Sequence, residues 1–303
     1  MSHGHSHPPA TDSRRLAAAL ALILAFMAVE VTAGVLAHSL ALLSDAAHML
    51  TDAAALALAL LALALARRPA RGAMTYGLRR AEILSAQFNG ATLLVLGVLI
   101  VYEGIHRLVS PPDVGGVPVL VVALGGVVVN LVATLILAGA NRQSMNIDGA
   151  FQHMLTDLFA FIATAIAGGV IIVTGFHRAD GIASLVIAAM MLLAAYRLLR
   201  DSGRVFLEAA PKGVDPQAIG QAMVATATVE EVHDLHVWEV ASGFPALSAH
   251  VLVAAEADCH EARRELEAML HSRFELHHTT LQVDHAAEEL LRIEPAPGGS
   301  AAR

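Results

Sequence analysis

His48-Met49-Leu50-Thr51-Asp52 lies inside a long apolar run, and the same five residues return as His153-Met154-Leu155-Thr156-Asp157 inside another. Each copy sets an imidazole and a carboxylate four residues apart. On a helix that spacing places both side chains on one face, a turn apart. Runs of about 20 predominantly apolar residues are what a bilayer-spanning helix requires. Two such faces, brought together, would offer two nitrogen and two oxygen ligands to one ion.

The rest of the chain fits a membrane setting. Of 303 residues, 56% are hydrophobic and only 15% charged, with a mean hydropathy of +0.62. Soluble domains carry about 25% charged residues. The charge is unevenly spread: residues 1–204 have a net charge of +2 and residues 205–303 a net charge of −10. An apolar, slightly basic part therefore precedes an acidic, water-compatible part. The acidity of the second part argues against a nucleic-acid partner. The single cysteine, Cys259, cannot form an intramolecular disulfide and reads as a small packed or surface thiol. The apolar run from Leu16 is too long for the core of a cleavable signal peptide.

Six apolar segments are expected to span lipid, at 16–37, 40–66, 83–109, 114–140, 150–175 and 182–199, the sixth being the shortest. Short links such as Pro111-Pro112-Asp113 and Phe176-His177-Arg178-Ala179-Asp180 favour antiparallel neighbours. Eleven arginines fall on one side of the expected spans and two, Arg107 and Arg178, on the other. That bias places both termini in the cytoplasm. The expected domains are a His-rich tail over 1–13, six membrane helices over 14–204, a cytoplasmic domain over 205–287 and a disordered tail over 288–303. The cytoplasmic part reads as αββαβ, a small two-layer α+β domain. Its helices fall at 216–226 and 258–274, the latter with Asp258 as N-cap and Glu261 three residues on. Its strands fall at 232–241, 246–254 and 276–284.

Ionisable groups within the spans are Glu30, Asp45, His48, Asp52, Glu103, His106, His153 and Asp157. A charge at the centre of a membrane helix costs about 2.5–3.5 kcal/mol on insertion scales, so each is a functional candidate. From opposite faces, the two His–Asp pairs can both reach the middle of a hydrocarbon core about 30 Å thick. One such pair could equally glue two helices through a hydrogen bond; two pairs identical through five residues favour a shared coordination shell. Two imidazoles and two carboxylates suit tetrahedral Zn²⁺, though such ligands also admit other divalent metals. The ligands must shed protons to bind metal, so protons and metal compete for the site. Asp45 could support His48 or bond to Ser39. Glu30, Asn89 and Asn130 are expected to hydrogen-bond between helices, and snorkelling explains Glu103, His106 and Arg107. His3, His5 and His7 can collect metal weakly.

These residues resemble the cation diffusion facilitator family, specifically its zinc-transporting branch of proton-coupled exporters. The resemblance runs through Ser39–Asp52, Tyr76–Ile83, Asn146–Ala150, Val232–Trp238 and Leu247–His250. It implies a homodimer of six-span protomers with metallochaperone-like cytoplasmic domains, embedded in membrane lipid. It implies that His48, Asp52, His153 and Asp157 hold the transported Zn²⁺, and that histidine at position 48 goes with zinc rather than cadmium or manganese. By the same resemblance His233, His250, His277 and Asp284 are cytoplasmic Zn²⁺ ligands, with His236, His278 and His285 as substitutes. The loop 141–149 lacks the histidine-rich insert of many relatives, and the loop 67–75 has no His, Asp, Glu or Cys, so the loop metal site of some members is not expected there. The expected activity is export of cytosolic Zn²⁺ in exchange for protons, with Cd, Co, Ni, Fe or Mn as alternative cargo. An intramembrane zinc hydrolase is disfavoured, because four ligands would close the site and no H-E-x-x-H is present. A zinc sensor is disfavoured by the lack of an output module. Short tails and loops suggest the cell (inner) membrane as host.

Overall fold

The computed structural model describes residues 10–36, 40–110, 116–142 and 144–286; within these, the side chains of residues 10, 11, 30, 33, 34, 36, 40–48, 51, 116, 118 and 119 lie outside the description. The expectations for His3, His5 and His7, for Ser39, for the Pro111-Pro112-Asp113 link and for the tail over 288–303 fall outside the described residues. So do those for the side chains of Glu30, Asp45 and His48.

The elements run α1 (Ala10–Leu36), α2 (Leu40–Ala66), α3 (Ala81–Val109), α4 (Gly116–Ala138), α5 (Met145–Thr174), α6 (Arg178–Phe206), α7 (Pro216–Val224), β1 (Val229–Ala241), β2 (Phe244–Val253), α8 (Cys259–Phe274) and β3 (His278–His285). The order after α6 is the expected αββαβ. Ala- and Leu-rich stretches make α1, α2 and α6 strong helix formers. Among the described residues, four segments are long and apolar enough to cross a membrane: α3, Leu120–Ala138 of α4, α5 and α6. Large apolar side chains such as Phe88, Leu99, Tyr102 and Val173 face outward, as they would against lipid.

The sixth apolar segment, 182–199, lies inside a longer helix: α6 spans 29 residues, because polarity ends a span without ending a helix, and Arg200, Asp201 and Arg204 continue it. One expectation needs correction: α5 begins at Met145, so Asn146, Ile147, Asp148 and Gly149 are helical rather than part of a loop.

The chain divides into two compact units, residues 1–208 with 240–243, and 209–239 with 244–303. In the first, α1, α2, α4 and α5 share one core, built on Leu16, Ile23, Leu56, Leu63, Leu137 and Met154. Helix α3 packs mainly on α6 through a seven-residue repeat. Gly90, Gly97 and Gly104 lie against Leu199, Leu192 and Leu185. Each seven-residue step up α3 is matched by a seven-residue step down α6, so the two run antiparallel. A Cβ on Gly97 would come within 2.9 Å of Leu192. At one end Arg107 donates to Glu103 (2.9 Å) on its own helix and to Asp180 (2.6 Å) on α6. Snorkelling is therefore not its whole role: this arginine ties two helices.

The second unit is a three-stranded sheet in the order β1-β2-β3 with α7 and α8. β2 and β3 are parallel, with Ala246 opposite His278 and Val253 opposite His285. Leu247, Ala249, Val251 and Val253 alternate along β2 into a core with Ile219, Met223, Leu266 and Leu270. Asp258 caps α8 by accepting from the N–H groups of His260 (2.8 Å) and Glu261 (3.2 Å). The backbone donors of Glu261 and then His260 hold its carboxyl below the usual carboxylate range. The cap is therefore fully formed above the ordinary carboxylate pKa and is lost as pH falls through the lowered value.

Gly97→Leu should lower stability by about 1–3 kcal/mol through overpacking against α6. Gly169→Ala, where an added Cβ meets nothing within 4 Å, should raise it by about 0.5–1 kcal/mol. Thermal unfolding of both variants in detergent checks the contrast.

Candidate metal centre

The register between α2 and α5 is set by one buried bond. Asn146 Nδ2 donates to the carbonyl of Ala59 at 2.8 Å. Seven residues on from Asn146 is His153; seven residues back from Ala59 is Asp52. Two turns of each helix rise about 10.5 Å. The two side chains thus arrive level, and His153 Nε2 lies 2.9 Å from Asp52 Oδ1. With both pairs of contacts in place, α2 and α5 must run antiparallel.

Asp157 completes the group. Its Oδ2 lies 3.6 Å from His153 Nε2, one turn along the same helix. Ligand atoms of Asp52, His153 and Asp157 all lie within 4.8 Å of one another. His153 is only 3% exposed. Its Nδ1 and Asp157 Oδ2 have no hydrogen-bond partner among the described residues. One imidazole nitrogen and two partly buried carboxylates, close together, form a donor set suited to a small divalent cation. A bound cation would take the place of the His153–Asp52 hydrogen bond.

The other residues of the second repeat serve packing. Met154 joins the helical core, where Met49 of the first repeat also lies. The Thr156 hydroxyl donates to the Gln152 carbonyl of its own helix (2.8 Å). The repeat thus separates into a core-facing Met and a site-facing His–Asp pair. His48 belongs to α2 one turn before Asp52; its side chain lies outside the described residues.

Two expected inter-helix bonds are absent among the described residues. Asn130 donates back to Gly126 within α4 (3.1 Å). Asn89 is buried with both side-chain atoms unpartnered.

In the cytoplasmic unit, His233 and His250 come together with Asp234, their ligand atoms within 4.8 Å. The two rings meet edge-on, centroids 5.3 Å apart. Asp234 escaped the sequence reading. It adjoins His233 within β1 but turns its backbone into the left-handed region at φ +49, which Asp tolerates better than most residues. The signal available in the sequence was its adjacency to His233. His277 instead packs its ring on His271, centroids 4.3 Å apart. Asp284 accepts from Gln282 Nε2 at 2.9 Å. The strand register explains its separation: Gln282 stands opposite His250, and Asp284 stands opposite Leu252, two residues on. His285 approaches the Ala257 carbonyl at 2.9 Å, His278 packs on Phe244, and His236 is exposed.

A helical membrane domain with a buried His–carboxylate group, followed by a small α+β domain, defines a multi-pass metal transporter. Residues 16–207 match the cation efflux transmembrane domain, and residues 211–286 match the cation efflux protein cytoplasmic domain. The chain is 39% identical to the metal cation efflux system protein CzcD of Cupriavidus metallidurans over 290 residues, covering 94% of this chain and 91% of that protein. It is 36% identical over 292 residues to the zinc transporter ZitB of Escherichia coli K12, covering 94% and 93%. It is 34% identical over 288 residues to the cadmium, cobalt and zinc/H(+)-K(+) antiporter of Bacillus subtilis 168, covering 94% and 93%. The chain belongs to the cation efflux, or cation diffusion facilitator, family. It is a metal cation efflux transporter and not an enzyme.

Asn146→Leu removes the bond that levels Asp52 with His153 while leaving every candidate ligand in place. It should weaken Zn²⁺ binding to the purified protein by about tenfold, the equivalent of roughly one lost hydrogen bond, as read by titration calorimetry.

Proposed function

We infer that this protein exports Zn²⁺ from the cytosol in exchange for protons, at a tetrahedral site formed by His48, Asp52, His153 and Asp157 between α2 and α5. The observation that carries this reading is the meeting of Asp52, His153 and Asp157 at one depth on antiparallel helices. His48, one turn from Asp52 on the same helix, supplies the fourth ligand. The zinc transporter name of the Escherichia coli relative supports the cargo, and the antiporter name of the Bacillus subtilis relative supports proton coupling. That second name also includes cadmium and cobalt, so a broader divalent transporter is the alternative reading.

The chemistry follows from the ligands. Each imidazole must be neutral and each carboxylate ionised to bind metal. Loading from the cytosol therefore displaces protons. Once the site faces the other side, protons compete the metal off and reset the carrier. Six spans, α1 to α6, rest on the length of the apolar segments, and the arginine bias puts both termini in the cytoplasm. The host is the cell (inner) membrane, and the working unit is a homodimer.

We assign residues 14–204 to the membrane and 205–287 to the cytoplasmic domain. There His233 and His250, with Asp234 beside them, suit Zn²⁺ through nitrogen and oxygen donors; the family resemblance adds His277 and Asp284, which would have to move to join them. That ion would act as a regulator that stabilises the dimer, apart from the transport path. Deleting residues 205–303 should lower both Zn²⁺ affinity and the dimer fraction; unchanged values in both would remove this role.

The decisive test is Zn²⁺ uptake into everted membrane vesicles under an imposed pH gradient. Asp52→Ala and Asp157→Ala should abolish uptake, and retention of transport by both would refute the site. Zn²⁺ affinity of the wild type should fall as pH falls, by roughly tenfold per pH unit for each proton displaced. Competition by Cd²⁺, Co²⁺, Ni²⁺ and Mn²⁺ in the same assay separates the two cargo readings.

A further inference from the structure

Helix α3 carries a line of buried polar groups that the coordination site does not use. Ser85 and Asn89 are each 2% exposed. Ser85 Oγ and both Asn89 side-chain atoms lack a hydrogen-bond partner among the described residues. On the facing helix α5, Asn146 Oδ1 and His153 Nδ1 are likewise buried and unpartnered. More than nine in ten buried polar groups find a partner, and each that does not costs about 1–3 kcal/mol. Four such residues on two packed helices point to a shared occupant.

Their placement is consistent. The Ser144 hydroxyl at the start of α5 donates to Glu82 Oε2 near the start of α3 at 2.8 Å. That bond holds the two helix starts level. Asn89 lies seven residues past Glu82, on the same face to within about 20°, and that face is the one bonded to α5. Asn89 and His153 each lie eight residues beyond the first residue of their helix, about 12 Å in. Ser85 lies between Glu82 and Asn89. Helices α2, α3 and α5 all pack against one another, which brings the polar line of α3 to the helix pair that holds Asp52, His153 and Asp157.

We propose that Ser85 and Asn89 line the cytoplasmic approach to the metal site and hold the water shell of the incoming divalent cation. A hydroxyl and a carboxamide suit that task because they are neutral. They exchange hydrogen bonds with an aqua ion without stripping it or trapping it, and the ionised ligands beyond take the bare metal. Asn89, level with His153, is the last neutral station before coordination. This assignment rests on the reading of the α2–α5 site as the transport site.

The single cysteine makes the test direct. In a Cys259→Ser background, Ser85→Cys, Asn89→Cys and Leu93→Cys are exposed to a small, charged, water-soluble methanethiosulfonate in everted vesicles. Leu93 is also fully buried but packs with Met191 and Ala195 of α6. Ser85→Cys and Asn89→Cys should react at least about tenfold faster than Leu93→Cys, and saturating Zn²⁺ should slow them. Equal, slow rates at all three positions overturn the proposal. Fast labelling that Zn²⁺ leaves unchanged supports the hydrated lining and counts against the zinc site itself. Asn89→Leu should raise the KM for Zn²⁺ about tenfold, on the scale of one or two hydrogen bonds, without lowering the thermal midpoint. Asn89→Ser should recover most of that loss. A lowered midpoint with an unchanged KM would make Asn89 a packing residue and overturn the proposal.

Discussion

One backbone carbonyl sets the geometry on which the site depends. Ala59 accepts from Asn146, and this contact fixes the sliding register of two antiparallel helices. A slip of one residue on either helix would move its ligand by about 1.5 Å along the axis and about 100° around it. The His153–Asp52 contact at 2.9 Å does not survive such a slip. In a largely apolar seam the cost of missing is high, because a mostly buried carboxylate that loses its partner is left short of hydrogen bonds. Register, burial and ligand chemistry are therefore one constraint.

The two helix groups of the membrane unit are built on different packing logic. Helices α1, α2, α4 and α5 share a core of Leu, Ile, Ala and Met side chains, and α2 and α5 carry the candidate ligands Asp52, His153 and Asp157. The α3–α6 pair is zipped by glycines on one helix meeting leucines on the other. Such close backbone approach is the usual route to association in lipid, where burial of apolar surface gives no drive. The Arg107–Asp180 ion pair closes one end of α3–α6, and the Glu82–Ser144 bond joins α3 to α5 near the other.

Single residues illustrate how a local pattern divides its duties. Within His153–Asp157, Met154 packs inward, Thr156 bonds its own helix, and His153 and Asp157 share the remaining face. Ser144 occupies the N-cap position of α5, yet its side chain caps nothing. Its hydroxyl goes to Glu82 instead, trading a local bond for one between helices. Asp258 shows the opposite choice, spending its carboxylate on the first turn of α8.

The sequence alone determined the helices, the αββαβ order and the repeated His–Asp pair that supplies the candidate membrane ligands. Those follow from local rules: apolar length, the four-residue turn and the two-residue strand alternation. His153 with Asp157 was legible because both lie on one helix. The start of α5 was misjudged, since residues 146–149 look like a loop by polarity yet are helical, because hydropathy measures lipid preference and not helix propensity. What only the tertiary structure decided are the relations between distant segments: Asn146 with Ala59, Gly97 with Leu192, His250 beside Asp234 and two residues short of Asp284. These depend on register between elements far apart in the chain. Local spacing leaves that register free, and close packing settles it.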